Sequence, residues 1–313
     1  MRALTPEPTG DAWARAAYAF LAEKEKRSGS RRTVESYGRM LRDFLGRTGQ
    51  PPDEITPQDV FAWAYGVGAS GREPSATTVG ARLASVGSFY AFLVRMDIVS
   101  SNPCDQLQRP RVEQPRSRGL SADEVRRLLR AIPDTPVGLR DRAIVVTLLL
   151  TGRRRAEVLG MSVSDVACER GVPFYAYRGK GGTRGKRELP RPAYDAIVAA
   201  LAAFGKDLAT MSPDEPLWPS SRGGTGVTSG VFAGNLRRYY DRAGLPRSGV
   251  HALRHSAAKL RRDAGESIEN VSRFLDHSSL AVTTTYLRRL EGEEDTGWAR
   301  VAEAIGLCGP PGP

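Results

Sequence analysis

The chain has 313 residues, with 46 Lys or Arg against 35 Asp or Glu and a formal charge of +11. That length favours about two domains with sizeable cores, and the positive excess suits a polyanion, whether DNA, RNA or an anionic membrane. Three scattered cysteines (Cys104, Cys168, Cys308) lack CxxC spacing, which excludes a zinc ribbon and points to a reducing cytoplasm. The N-terminal stretch has no apolar signal core and no apolar run is long enough to span a bilayer, so a soluble cytoplasmic protein without a membrane partner is expected.

The first third reads as four helices. Trp13, Ala16, Ala17, Phe20 and Leu21 recur at helical spacing, and a second helix from about Arg31 carries Val34, Tyr37, Leu41 and Phe44 on one face. Thr56-Pro57-Gln58-Asp59 has the form of a cap with proline at the first helical position. Ser75 to Met96 is a longer helix through Val79, Leu83, Val86 and Phe89. Four such helices make a compact bundle over residues 1–103, with Arg31, Arg32, Arg39, Arg72 and Arg82 on its polar faces. Prolines 103, 110 and 115 then break helix among Arg109, Arg111, Arg116 and Arg118, so residues 104–119 read as an extended basic linker.

A second domain is expected over residues 120–313. Leu120-Ser121-Ala122-Asp123-Glu124 is a capping box with an apolar staple. After the Pro133–Pro136 break, LRDRAIVVTLLLTG forms a core helix ending on Gly152. Three arginines, Arg153 to Arg155, follow at once, and Glu157 answers only one of them. The stretch 161–190 is strand-like, with MSVSDV, VPFYAYRG and GKRELP as short strands and GKGGTRGK as a basic hairpin tip. That tip is not a phosphate-binding P-loop, since Lys180 and Arg187 stand where Gly and Ser or Thr are needed. Helices resume at Arg191–Phe204, about Ser229–Ala243 and from His251, and a short amphipathic helix surrounds Trp298. The fold class is mainly α with a small antiparallel β-sheet.

All three histidines lie between His251 and Tyr286. His251 and Arg254 are one helical turn apart and project from the same face. The HExxH reading of His251 and His255 fails because Ala252 stands where Glu is needed. A phenol (Tyr286), imidazoles (His251, His277) and a guanidinium make an inventory for attack on a phosphodiester: Tyr supplies the nucleophilic oxygen, and Arg and His donate to phosphate oxygens.

The order Thr151-Gly152-x-Arg154-x-x-Glu157, the Gly179-Lys180-Gly181 hairpin, His251-x-x-Arg254, Leu275-Asp276-His277 and then Tyr286 resembles the tyrosine recombinase, or phage integrase, family, with the layout of its Xer-like and transposon-type integrases. The resemblance covers essentially the whole chain. It implies an N-terminal helical core-binding, SAM-like bundle and an α+β catalytic domain with a C-terminal tail helix. It assigns catalysis to Arg154, Lys180, His251, Arg254, His277 and Tyr286, with Glu157 supporting Arg154. It also implies a site-specific enzyme that cuts and rejoins duplex DNA through a 3′-phosphotyrosyl intermediate, without ATP, metal or another cofactor. The expected partners are double-stranded DNA with paired inverted sites and a homo-tetramer joined through the helix near Trp298, in the cytoplasm with the nucleoid. Phosphate contacts fall to Arg31, Arg32, Arg72, Arg82, Arg109, Arg111 and Lys186. Lys186 remains an alternative to Lys180 as the general acid. The chain departs from the family pattern at Arg153 and Arg155, where apolar residues are common, and at Asp276, where Gly is common. A type IB topoisomerase-like relaxase and a non-catalytic DNA-binding regulator are the alternative readings.

Overall fold

The computed structural model describes residues 12–29, 31–68, 71–111, 119–178, 184–221 and 225–276. Two compact units divide the chain, Met1–Gln114 and Pro115–Pro313.

The first unit is a bundle of α1 (Ala12–Ser28), α2 (Arg31–Thr48), α3 (Pro57–Tyr65) and α4 (Ala76–Arg95). Its core is aromatic: Phe20 meets Phe89 and Phe92 edge-on, and Phe44 meets Trp63 at 5.0 Å between ring centroids. Edge-to-face packing adds to the area these rings bury. Thr56 caps α3 as its sequence predicts, accepting from the Asp59 N–H while the Asp59 carboxylate accepts from the Thr56 N–H at 2.9 Å. Helix α4 has the length and apolar content of a bilayer span, which the expectation of no such run overlooks. Its Val79, Leu83, Val86, Phe89 and Leu93 are buried in the bundle, which accounts for that apolarity as core packing. The first residues of the expected linker are folded onto this core: after the buried Pro103, Cys104 and Leu107 pack partly buried against it.

The second unit comprises α5 (Ala122–Ala131), α6 (Pro136–Thr151), α7 (Arg155–Leu159), α8 (Arg191–Ala203), α9 (Ser229–Arg242), α10 (His251–Asp263) and α11 (Ile268–Phe274), with a three-stranded antiparallel sheet, β1 (Val166–Glu169), β2 (Val172–Arg178) and β3 (Arg184–Glu188), in the order β1-β2-β3. Helix α6 lies at the centre, packed by α7, α8, α9 and α10. That is why Ala143, Ile144, Val145, Leu148 and Leu149 are all buried and the helix shows no polar face. The stretch 161–166, expected as a strand, is instead a 3₁₀ turn over Val163–Asp165, because the Asp165 carboxylate accepts from the Ser162 N–H (2.8 Å) and hydroxyl (2.9 Å). Ser162 makes an isolated bridge to Pro216, and the ladder with β2 begins at Val166. The expected C-terminal helix at Trp298 lies outside the described residues.

Candidate functional site

The site is built where α6 ends. Gly152 stops the helix with φ +60°, its N–H donating to the Leu148 carbonyl at 3.0 Å. No other residue fits there. A Cβ at Gly152 would stand 2.3 Å from the Phe274 ring, so the turn can approach α11 only without a side chain. Two residues on, Arg154 precedes α7, and Glu157 holds it at two points. The Glu157 carboxylate accepts from the Arg154 backbone N–H (3.0 Å) and from its guanidinium (2.9 Å). The rest of that guanidinium stays half-open, at 37% side-chain exposure.

Arg254 reaches the same turn from α10. It is buried, 7% exposed, and donates from Nη1 to the Gly152 carbonyl (2.5 Å) and from Nη2 to the Leu275 carbonyl (2.6 Å). Each hydrogen bond to a charged group contributes roughly 1.5–3 kcal/mol, enough to keep a desolvated guanidinium in place. His251 opens α10 one turn earlier, as its spacing from Arg254 predicts. Desolvation by the surrounding protein, and then the positive charges of Arg155, Arg254 and Arg154, push its pKa below the ordinary imidazole value. Both arginines singled out by the sequence therefore act on one exposed histidine, and each disfavours its protonated form.

Arg153, between Gly152 and Arg154, turns the other way. It is 2% exposed and bound to the Asp276 carboxylate and the Phe274 carbonyl, the latter at 2.8 Å. Within the arginine triplet, Arg153 faces inward and Arg154 is the half-open one. Sequence reasoning singled out Arg153 and Asp276 only as departures, and it missed Arg187 and Tyr177. The signal was the alternation of β2 and β3. Tyr175 pairs with Arg187 and Tyr177 with Gly185 across the strands, which puts Arg187 on the tyrosine face, and Arg187 also binds Asp276.

The same alternation puts Lys186 on the opposite face. It binds Glu169 (2.5 Å) and lies 4.7 Å from the Phe174 ring centroid. Strand pairing turns Lys186 away from the Arg187 face. Arg82 is a correction. It is 9% exposed and donates to the carbonyls of Trp63 (3.1 Å), Ala64 (3.0 Å) and Gly66 (2.8 Å), satisfying the C-terminal end of α3 instead of facing a phosphate. Arg31, Arg32, Arg72, Arg109 and Arg111 are exposed, Arg31 beside Glu35 at 3.0 Å. Lys180, His277 and Tyr286 lie outside the described residues.

Comparison with known proteins places this arrangement. The sequence matches the phage integrase family over residues 118–293 and the phage integrase N-terminal SAM-like domain over residues 19–97. It is 29% identical to the tyrosine recombinase XerD of Caulobacter vibrioides, covering 88% of this chain and 92% of that one. Against the tyrosine recombinase XerC of Mycobacterium bovis strain BCG it is 30% identical over 79% of this chain and 84% of its relative. Among solved structures, the XerH site-specific recombinase bound to a palindromic difH substrate covers 88% of this chain and 79% of its own, with a TM-score of 0.64 at 19% identity, a likeness of fold. With its catalytic unit matched over most of its length and its helical bundle matched separately, the chain belongs to the phage integrase family and is a tyrosine recombinase.

Proposed function

We propose that this chain is a site-specific recombinase that cuts and rejoins duplex DNA through a 3′-phosphotyrosyl intermediate. The observation that carries the reading is the pair Arg154 and Arg254, from separate parts of the sequence, placed around one turn and both lowering the pKa of one histidine. A backbone phosphodiester carries one negative charge, and attack gathers more on its non-bridging oxygens. Two guanidiniums brought to one turn stabilise that charge where other enzymes use metal ions.

A phenol with a pKa near ~10 is a poor nucleophile at neutral pH. Neutral His251 takes the Tyr286 proton as the phenolic oxygen bonds to phosphorus, and the cationic arginines favour the developing anion. The bond from phosphorus to the 5′ oxygen breaks, and Lys180 gives that oxygen its proton. His277 donates to a phosphate oxygen. The ester energy is kept in the phosphotyrosyl linkage, so a 5′-hydroxyl from another strand reverses the step without ATP or metal.

In this reading residues 1–103 are a DNA-binding domain, 104–119 a linker and 120–313 the catalytic domain. Arg31, Arg32, Arg72, Arg109 and Arg111 contact phosphates and set register. The enzyme acts in the cytoplasm, on the nucleoid, as a homo-tetramer on paired inverted sites, joined through the segment near Trp298. The palindromic substrate of the structural neighbour supports paired sites. The test is a suicide duplex that traps cleaved product. Wild type should leave a covalent protein–DNA adduct with a free 5′-hydroxyl, and Tyr286→Phe should leave none. Adduct persisting in that variant overturns Tyr286 as nucleophile.

A further inference from the structure

Three arginines from three elements end on one four-residue stretch, Arg273 to Asp276. Arg153, past the end of α6, binds the Phe274 carbonyl and the Asp276 carboxylate. From β3, Arg187 binds the carbonyls of Phe274 (3.0 Å) and Arg273 (3.1 Å) and the second carboxylate oxygen of Asp276. Arg254, from α10, binds the Leu275 carbonyl at 2.6 Å. Tyr177 completes the group. Its ring centroid lies 4.3 Å from the Arg153 guanidinium and 5.4 Å from that of Arg187, and its phenol donates to Asp276. The ring fits because it lies over Gly185, where a Cβ would stand 2.5 Å away.

Burial by itself would raise the Asp276 pKa, but the hydrogen bond and charge of Arg153 and the charge of Arg187 outweigh it and hold the carboxylate ionised. Asp276 also keeps a left-handed backbone, φ +49°, which an aspartate tolerates but does not favour. Its two ion pairs hold it there. Two of the three positions at which the sequence departs from the family pattern, Arg153 and Asp276, are each other's partners.

We propose that this Arg153–Asp276–Arg187 clamp is a positioning device. It locks the turn that supplies a carbonyl to Arg254 against the turn that carries Arg154, and so fixes the spacing of the two arginines on the phosphate. The proposal rests on the role given to those arginines above. Neither Arg153 nor Asp276 touches substrate; both act through Arg154 and Arg254.

The test measures the single-turnover cleavage rate at saturating suicide duplex alongside the Kd for the same duplex. Arg153→Leu and Asp276→Asn should each slow cleavage by up to about 10²-fold, the scale expected from misplacing a phosphate donor by about an ångström, with Kd little changed. The double variant Arg153→Leu/Asp276→Gly carries neither charge and a glycine at the left-handed position, and it should recover most of that loss because the two sites are coupled. Arg187→Gln removes one arm of the clamp from a side chain that is one-third exposed. It keeps the test alive should an Arg153 variant fold poorly, and should slow cleavage about tenfold, the scale of a small fraction of an ångström. Single variants as fast as wild type, or a double variant no faster than the slower single one, overturn the positioning role alone. A wild-type protein that forms no adduct overturns the phosphotyrosyl reading, and the positioning role with it.

Discussion

Helix α6 has an arginine–aspartate pair at each end, and the two pairs do different work. Near its start, Arg140 and Asp141 are neighbours in sequence, 1% and 0% exposed, and joined at 2.7 Å. Arg140 also donates to the Pro219 carbonyl (2.8 Å), and Asp141 accepts from Asn235 (2.8 Å) and the Tyr239 hydroxyl (2.9 Å). Every strong partner lies inside the fold, so the network ties α6 to α9 and goes no further. Past the other end, Arg153 and Asp276 are 123 residues apart in sequence, Asp276 keeps 28% of its side chain exposed, and the surrounding bonds run into the backbone of the turn that also serves Arg254. A closed polar network affects how much protein is folded. One that ends on the backbone of a site affects what the folded protein does.

The largest expected effect breaks the closed end. Asp141→Ala leaves the Arg140 guanidinium buried without its carboxylate, a loss of about 3–5 kcal/mol, read as a lower denaturant midpoint. Cleavage per folded molecule should stay near wild type; a rate that falls in the folded fraction would mean the two ends are not separate. Next comes the open end. Arg254→Ala should lower the cleavage rate by about 10²–10³, the scale of one donor to a developing anion. Arg254→Lys should rescue little, since one ammonium cannot hold the Gly152 and Leu275 carbonyls and a phosphate together. A lysine variant within about tenfold of wild type, against the factor of 10²–10³ given for one such donor, would say that charge alone suffices there.

The same contrast separates what the sequence revealed from what it hid. The helices came through because their signals are local: Ser121 and Glu124 close the α5 cap as their spacing predicts, and Gly152 ends α6 in the left-handed turn that only it tolerates. Arg154, Glu157, His251 and Arg254 were legible as candidates because two short motifs each put their members within one helical turn. What was hidden depends on pairing across long sequence separations. Nothing near Arg82 says that it will turn inward to the three carbonyls ending α3. Nothing near Asp276 names Arg153 and Arg187 as its partners. The 3₁₀ turn at Val163–Asp165 was misread for the opposite reason. MSVSDV alternates as a strand does, but the side chain of Asp165 competes for the same backbone and wins.

The smallest effect sharpens the comparison electrostatically. Charge at the closed end is neutralised within the network, whereas at the open end Arg155, Arg254 and Arg154 all act on His251 after desolvation has already lowered its pKa. As a proton acceptor His251 should then stay neutral as pH falls through ~6.5, the ordinary imidazole value, and the acid limb of cleavage should lie below that point. Arg155→Gln removes the first of the three charges and should move the limb upward, toward ~6.5. Stability carries the same signature. Because the folded pKa is the lower one, the unfolded chain takes the proton first, so stability rises with pH between the folded value and ~6.5 and is level above it. His251→Gln should flatten that slope, which solvent screening at this exposed ring keeps shallow. An imidazole resonance titrating at or above ~6.5 in the wild type would mean that the three arginines do not bear on this ring, and that the open end of α6 is as self-contained as the closed one.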